Sequence, residues 1–301
     1  MKILVGQNHL NSIGGSETYT YTLIKGLIKK GHTVELLVGD PNALGIISKK
    51  IKEDFDVDPN VLTGGYDACF LSHKSSVSRY VSGKQNLKNV FQIIHGTTPE
   101  QEQPVKKSGM RYIAVSREIQ NYLRSRYDLD SEYVTNFIDL ERFAYKPSNP
   151  ELKKIFSLSQ DKSFNGTLSE ISKKIGVEFG YNDKNINPVF DIQDKIQQAD
   201  LVVSLGRGCY EAMACGKNVV VSDRRGYIGG ISDGYLTDEN YLSYHQNNCS
   251  GRTKKIRTTK DFLIQEFRKY DPSMGVKLRA VAEKYLDMDK NCDKLISLID
   301  N

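Results

Sequence analysis

No apolar run in this 301-residue chain approaches the roughly 18 residues that a membrane-spanning helix needs, so no segment is expected to cross a bilayer. Cysteines are few and odd in number. Cys69, Cys209, Cys215, Cys249 and Cys292 are scattered, with neither a disulfide framework nor a metal-ligand spacing, which points to a reducing compartment and a cytoplasmic protein. No arginine-rich, aromatic-interleaved stretch is present, and a net charge of +5 is too small an excess to argue for nucleic acid. The opening residues Met1 to Gly6 are too short for a signal peptide and read as a first buried strand. What is there is a soluble globular composition, 39% apolar and 26% charged, with room for two domains that each bury a core. A pI near 8.7 is compatible with acidic ligands or an anionic membrane surface.

The first half alternates short apolar runs with amphipathic stretches, as a parallel sheet covered by helices requires. Strands are expected at 2–5, 33–38, 68–72, 90–95 and 112–115, with a sixth near 132–134. Tyr19, Leu23 and Leu27 repeat at helical spacing between the first two strands, and Gly31 ends that helix. Ile119, Leu123 and Tyr127 mark another helix over 117–127. Pro147 and Pro150 mark the expected linker, dividing an N-terminal domain, 1–147, from a C-terminal domain, 151–301. In the latter, strands are expected at 155–158, 177–180, 201–204 and 219–222, with helices at 167–174, 193–198 and 209–215. Residues 236–257 read as a long polar loop. From Lys260 the chain reads as helical, with the last helices free to pack back on the N-terminal domain.

The most informative stretch runs from Ser204 to Lys217: an apolar strand, a turn bearing Gly206 and Gly208 around Arg207, and a short Ala/Met helix ending at Gly216. Helix-start N–H groups favour anions, and glycines let a ligand approach the backbone. Glu211, read as lying in the first helical turn, would oppose a phosphate but would accept hydrogen bonds from ribose hydroxyls. This chemistry suggests a nucleotide-sugar site. A strand-helix-strand unit whose glutamate complements the helix dipole is the plain alternative.

Five segments in order carry a resemblance to a known family. Gly14-Gly15-Ser16-Glu17, with the helix ending Gly31-His32-Thr33-Val34, resembles the N-terminal signature of the retaining glycosyltransferases of family 4. The strand ending His95-Gly96, Ala114 to Glu118, Val134 to Phe143, and Glu211-Ala212-Met213-Ala214-Cys215-Gly216-Lys217 are similar to further motifs of that family. The resemblance implies an α/β GT-B fold, with two Rossmann-like domains facing each other across a cleft. It implies a donor nucleotide sugar, UDP- or GDP-linked, on the C-terminal domain and a glycan or lipid-linked acceptor on the N-terminal one. The sugar would be transferred with retention and without a metal or other cofactor.

The resemblance, with the local chemistry of the turn at Gly206, Arg207 and Gly208, nominates residues. His95 and Arg207 are the candidate catalytic groups, the first toward sugar or acceptor hydroxyls, the second toward the leaving diphosphate. Gly14, Gly15, Glu17, Ser116, Asn136, Lys162, Gly206, Gly208 and Glu211 are the candidate binding residues. Ser116 also suits a helix cap, and Lys162 a solvated loop. Two departures stand out: the family's first glutamate falls on Val203, and its arginine-lysine pair is reduced to Lys162. A sugar-nucleotide epimerase or hydrolase, or a non-catalytic nucleotide- or glycan-binding descendant, therefore stays open. Lys106, Lys107, Arg111, Arg117, Arg124 and Arg126 give the N-terminal domain a basic face suited to peripheral contact with the inner face of a membrane, or simply to solvent.

Overall fold

The computed structural model describes residues 1–299. The chain divides into two compact units, residues 1–137 with the chain from 288 onward, and Ile138–Asp287.

The first unit alternates strand and helix. It runs β1 (Lys2–Gln7), α1 (Gly15–Lys29), β2 (Thr33–Val38), α2 (Ile46–Phe55), β3 (Ala68–Ser72) and α3 (Lys74–Val81). Then follow β4 (Val90–Ile94), β5 (Met110–Ala114), α4 (Arg117–Tyr127) and β6 (Glu132–Tyr133). All six strands are parallel, in the order β2-β1-β3-β4-β5-β6. Every residue of β3 and β4 is buried, which explains why they read as largely apolar runs, interrupted only by Gln92 inside β4 and Ser72 at the end of β3. Tyr19, Leu23, Ile24 and Leu27 put the apolar face of α1 into the core, and Gly31 ends the helix at φ +78°.

The second unit begins β7 (Lys154–Ser157), α5 (Lys162–Ile175), β8 (Glu178–Tyr181), α6 (Ile192–Gln197), β9 (Leu201–Ser204) and α7 (Arg207–Ala214). It continues with β10 (Asn218–Asp223), β11 (Ile231–Tyr235), α8 (Tyr241–Gln246), β12 (Ile256–Arg257), α9 (Lys260–Phe267) and α10 (Pro272–Tyr285). Its sheet has the order β12-β11-β10-β9-β7-β8, parallel from β10 to β8, with β11 and β12 antiparallel at the other edge. The last helix, α11 (Met288–Ile296), returns to the first unit. Lys29 and Lys30 pair with its Asp289 and Asp293 at 2.9 and 2.6 Å. Gly26 of α1 sits so close that an added Cβ would meet Cys292 and lie 3.1 Å from Met288.

Two expectations are revised. The units part upstream of the proline pair, because Ile138 and Phe143 are buried in the second unit's core and the Ile138 N–H donates to Leu286 O at 2.6 Å. The stretch expected as a loop, 236–257, contains α8 and β12. Its polar pattern hides Tyr241 and Tyr244, buried rings whose hydroxyls reach His245 Nδ1 (3.2 Å) and Asp233 O (2.7 Å).

Strand order fixes where ligands can enter. In each sheet one pair of neighbouring parallel strands has its connections leaving in opposite directions, which opens a crevice at their carboxyl ends. In the first unit that pair is β1 and β3. In the second it is β7 and β9.

Candidate functional site

The crevice of the first unit is lined by histidine. His9 follows β1, His73 follows β3 and His95 follows β4. The rings of His9 and His73 stack with centroids 5.4 Å apart and planes 29° apart. Each is held by a buried glutamate. His9 Nε2 lies 2.7 Å from Glu17 Oε1, and His73 Nε2 lies 3.3 Å from Glu102 Oε1. The second oxygen of Glu102 accepts the His95 backbone N–H at 2.8 Å, and His95 Nε2 lies 3.1 Å from Ser72 Oγ.

These contacts set the proton positions. Burial pushes the Glu17 carboxyl up, but hydrogen bonds from His9, its own amide and Ser16, with the charge of His9, outweigh it and hold Glu17 below its ordinary value. Burial likewise raises Glu102, and His73, the charge of His95 and the His95 N–H outweigh it. A carboxylate only accepts, so each histidine carries its proton on Nε2 and presents Nδ1 as the basic nitrogen. Asn8 Nδ2 donates to Nδ1 of His9 at 3.3 Å. Nδ1 of His73 is buried without a hydrogen-bond partner, and its backbone is held at φ +69°, unusual for a residue with a side chain. The His9 side chain is 33% exposed against 5% for His73, so His9 is the histidine of the pair that a substrate can reach.

The nominated residues of this unit divide. Gly14 caps α1 and accepts the Thr18 N–H at 3.0 Å; a Cβ there would meet the Glu17 carboxylate, so the glycine makes room for the His9–Glu17 pair. Gly15 opens the helix with nothing near its missing Cβ. Glu17 and His95 both belong to the histidine cluster. Ser116 is buried and caps α4, accepting the Ile119 N–H at 3.3 Å. Asn136 is buried in the segment after β6. The sequence reading missed His9, His73 and Glu102. Their signal was available: a polar residue pair ending in histidine directly after an apolar strand, twice.

In the second unit the turn after β9 leads into α7. Gly206 has φ +54° and ψ −129°, a backbone region closed to side chains, and its N–H donates to Cys249 O at 2.8 Å. Gly208 is required by packing: an added Cβ would strike Ser204 Oγ and lie 2.9 Å from Leu158. Gly208→Ala should therefore destabilise the protein by about 1–3 kcal/mol, read as a lowered denaturation midpoint. An unchanged midpoint would remove the packing role.

Glu211 does not lie in the first turn of α7, because the helix starts at Arg207. It lies one turn on, four residues after Arg207, and the two form a buried pair with Nε to Oε1 at 3.0 Å. Burial raises the Glu211 carboxyl, against the charges of Arg207 and Arg142. Arg142 stacks 3.8 Å from the Phe190 ring centroid and donates to Phe190 O at 2.5 Å. Its turn is held by Asp139, which accepts the N–H groups of Glu141 and Arg142 at 3.2 and 3.1 Å. Arg142 lies within the 134–143 segment of the family resemblance, where the sequence alone gives it no role. Tyr210 anchors α7, its hydroxyl lying 2.9 Å from Nδ1 of His245, which burial lowers to about 4 and keeps neutral.

Lys162 opens α5 with its side chain 74% exposed, 3.6 Å from Asp183. Better-held cations stand at the same sheet edge. Arg224 donates to Asp161, the cap of α5, at 3.2 Å, and Arg225 donates to Asp223 at 3.0 Å.

Among the described residues, no group of three or more His, Cys, Asp or Glu side chains is placed to hold a metal ion, and no helix is long and apolar enough to cross a membrane. Much of the basic face is occupied internally: Lys106 donates to Tyr127 O, Lys107 to Val81 O and Arg111 to Leu298 O, while Arg124 pairs with Asp130.

No family model matches the sequence, and no curated protein sequence does. Solved structures are similar over the whole chain. A mutant of S. aureus TarM in complex with fondaparinux, alpha-GlcNAc-glycerol and UDP is similar with a TM-score of 0.60 at 10% identity, covering 100% of both chains. The glycotransferase of kitacinnamycin gives 0.58 at 12% identity over 99% of both chains. T4 phage β-glucosyltransferase in complex with UDP and Mn2+ gives 0.54 at 14% identity over 100% of both. At such identities the likeness concerns the fold: this chain has the α/β GT-B fold of these glycosyltransferases.

Proposed function

We propose that the chain transfers a sugar from a UDP- or GDP-linked donor to a hydroxyl of a glycan or lipid-linked acceptor. The observation that carries this reading is the His9–Glu17 pair at a strand switch point, in a fold shared with enzymes solved in complex with UDP. His9 Nδ1 takes the acceptor hydroxyl proton while the oxygen attacks the anomeric carbon. Glu17 holds the ring and stabilises the imidazolium that forms. The bond from the anomeric carbon to the diphosphate breaks with its electron pair leaving on phosphate. In the second unit, the N–H groups opening α7 receive that diphosphate beside Gly206, which lets it approach the backbone, Arg207, Arg142 and Arg224 supply positive charge, and Glu211 accepts ribose hydroxyls.

Direct displacement assisted by a protein base inverts the anomeric centre. Retention, in which the leaving phosphate takes the acceptor proton, is the second reading, favoured by the family-4 motifs at 14–17 and 211–217. Both run without a metal, since side-chain cations and helix dipoles neutralise the diphosphate. Five buried free cysteines suit a cytoplasmic enzyme. Peripheral membrane contact has less support, because Lys106, Lys107 and Arg111 are engaged within the unit.

Proton NMR of the anomeric signal during turnover of UDP-glucose and other donors tests this reading. A new glycoside of inverted configuration, formed equally with EDTA and with added Mn2+, is the expected result. A retained configuration would transfer the assignment to the second reading. Free sugar formed at a rate indifferent to acceptor would make the protein a hydrolase, and an epimerised donor an epimerase.

A further inference from the structure

Two imidazoles are stacked in the crevice of the first unit, and the proposed transfer uses only His9. His73 is built in with more care than a filler ring needs. It caps α3 with φ +69° and ψ 141°, a backbone region that residues with side chains seldom adopt. Three neighbouring contacts fasten this bend to the single helical turn Glu100–Glu102. His73 Nε2 lies 3.3 Å from Glu102 Oε1, and Lys74 Nζ lies 3.2 Å from Glu100 Oε1. The N–H and hydroxyl of Ser75 donate to Gln101 Oε1 at 3.1 and 2.9 Å, and the Ser76 hydroxyl donates to His73 O at 3.1 Å.

The two rings are not equivalent toward a proton. A proton on His73 Nδ1 would bury an N–H donor with no acceptor beside it, since that atom has no hydrogen-bond partner and the side chain is 5% exposed. A proton on His9 Nδ1 meets solvent and the Asn8 amide, which carries an acceptor as well as a donor. The buried charge around the pair is negative. Glu17 on α1 and Glu102 on the turn are both held below their ordinary values despite burial, the first by His9, the second by His73 and His95. Lys74 is exposed and turned to Glu100, and the His95 ring lies on Ser72.

We propose that His73 is a positioning residue for the proposed base. Its ring, fixed by Glu102, supports His9 from the buried side and couples it to the Glu102 carboxylate, so that a proton taken from the acceptor settles on His9. The inference rests on the reading of His9 as the base. A carboxylate beyond the stacked ring favours the imidazolium and makes His9 a stronger base than Glu17 alone would make it.

Carbon–nitrogen correlated NMR of the imidazoles across pH tests the coupling whether or not the protein transfers sugar. In the wild-type protein the nitrogen shifts should show His9 gaining a proton on Nδ1 while His73 keeps its Nε2–H tautomer over the same interval. Glu102→Gln keeps an acceptor for His73 Nε2 and removes the charge, and should lower the His9 midpoint by about one pH unit. His73→Phe keeps a ring under His9 but cuts the link to Glu102, and should move the midpoint the same way. The acid limb of kcat/KM should follow, whereas a residue that only filled space would lower kcat and leave the limb in place. A moved midpoint without His9-dependent turnover would contradict the transfer reading and leave the coupling standing. Should neither variant fold, the wild-type tautomers decide alone. His73 taking the first proton in the wild-type protein, or an unmoved His9 midpoint in a folded variant, would overturn the proposal.

Discussion

His9→Ala should lower kcat by about 10²–10⁴-fold, the usual contribution of a positioned general base. KM for the donor should change little, because His9 lies in the first unit and the proposed nucleotide contacts lie in the second. Glu17→Gln should give a smaller loss, since an amide still hydrogen-bonds Nε2 but cannot stabilise the imidazolium. His73→Ala should act less directly: its ring is buried beneath His9 and its partner Glu102 is committed to the His95 N–H. Steady-state kinetics of the three variants, with circular dichroism to confirm folding, separates these roles. A His9→Ala enzyme with wild-type turnover would remove the protein base and leave the leaving phosphate to take the proton.

Arg207→Met should cost about 3–5 kcal/mol of stability, the penalty for leaving a buried carboxylate without its partner. Glu211→Ala should cost a similar amount by stranding the guanidinium. The double replacement Arg207→Met/Glu211→Leu should recover most of it, because apolar pairs of similar volume often replace buried ion pairs without loss. That variant isolates binding from folding. Its UDP affinity should fall about tenfold or more, as ribose and diphosphate lose charge-assisted hydrogen bonds. Wild-type affinity in the stable double variant would make the pair purely structural. The pH dependence has a definite sign. Burial raises the folded-state Glu211 above 4.5, so the native protein keeps this proton longer than the unfolded chain, and the group's contribution to stability declines as pH rises from that value toward the raised one. Denaturation midpoints of Glu211→Gln should lack that component.

Much of the architecture was legible because the parallel strands are buried on both faces. Runs such as Leu201-Val202-Val203 admit few other readings, and α1 and α4 carry clear helical spacing. Elements with weaker signals escaped. The helices α2 and α3 are short and polar-faced, and α8 hides its buried tyrosines among polar neighbours. The glycine turn at 206–208 was found, but its glycines divide by cause: Gly206 answers to a backbone angle, Gly208 to the nearness of Ser204 and Leu158. The Arg207–Glu211 pair was assigned residue by residue without the contact, because the expected helix start at 209 leaves Arg207 in the turn, and starting two residues earlier puts both side chains on one helix face. The histidine cluster was beyond reach for another reason. Its members come from five separate segments, and only the order of β1, β3 and β4 in the sheet brings them together.

The most direct measurement is release of free UDP or GDP from a panel of nucleotide sugars, with and without candidate glycan acceptors. Slow release from one donor class, accelerated by an acceptor and strongly reduced in His9→Ala, is the expected result. A folded protein that neither binds nor consumes any nucleotide sugar would overturn the proposed transfer reaction.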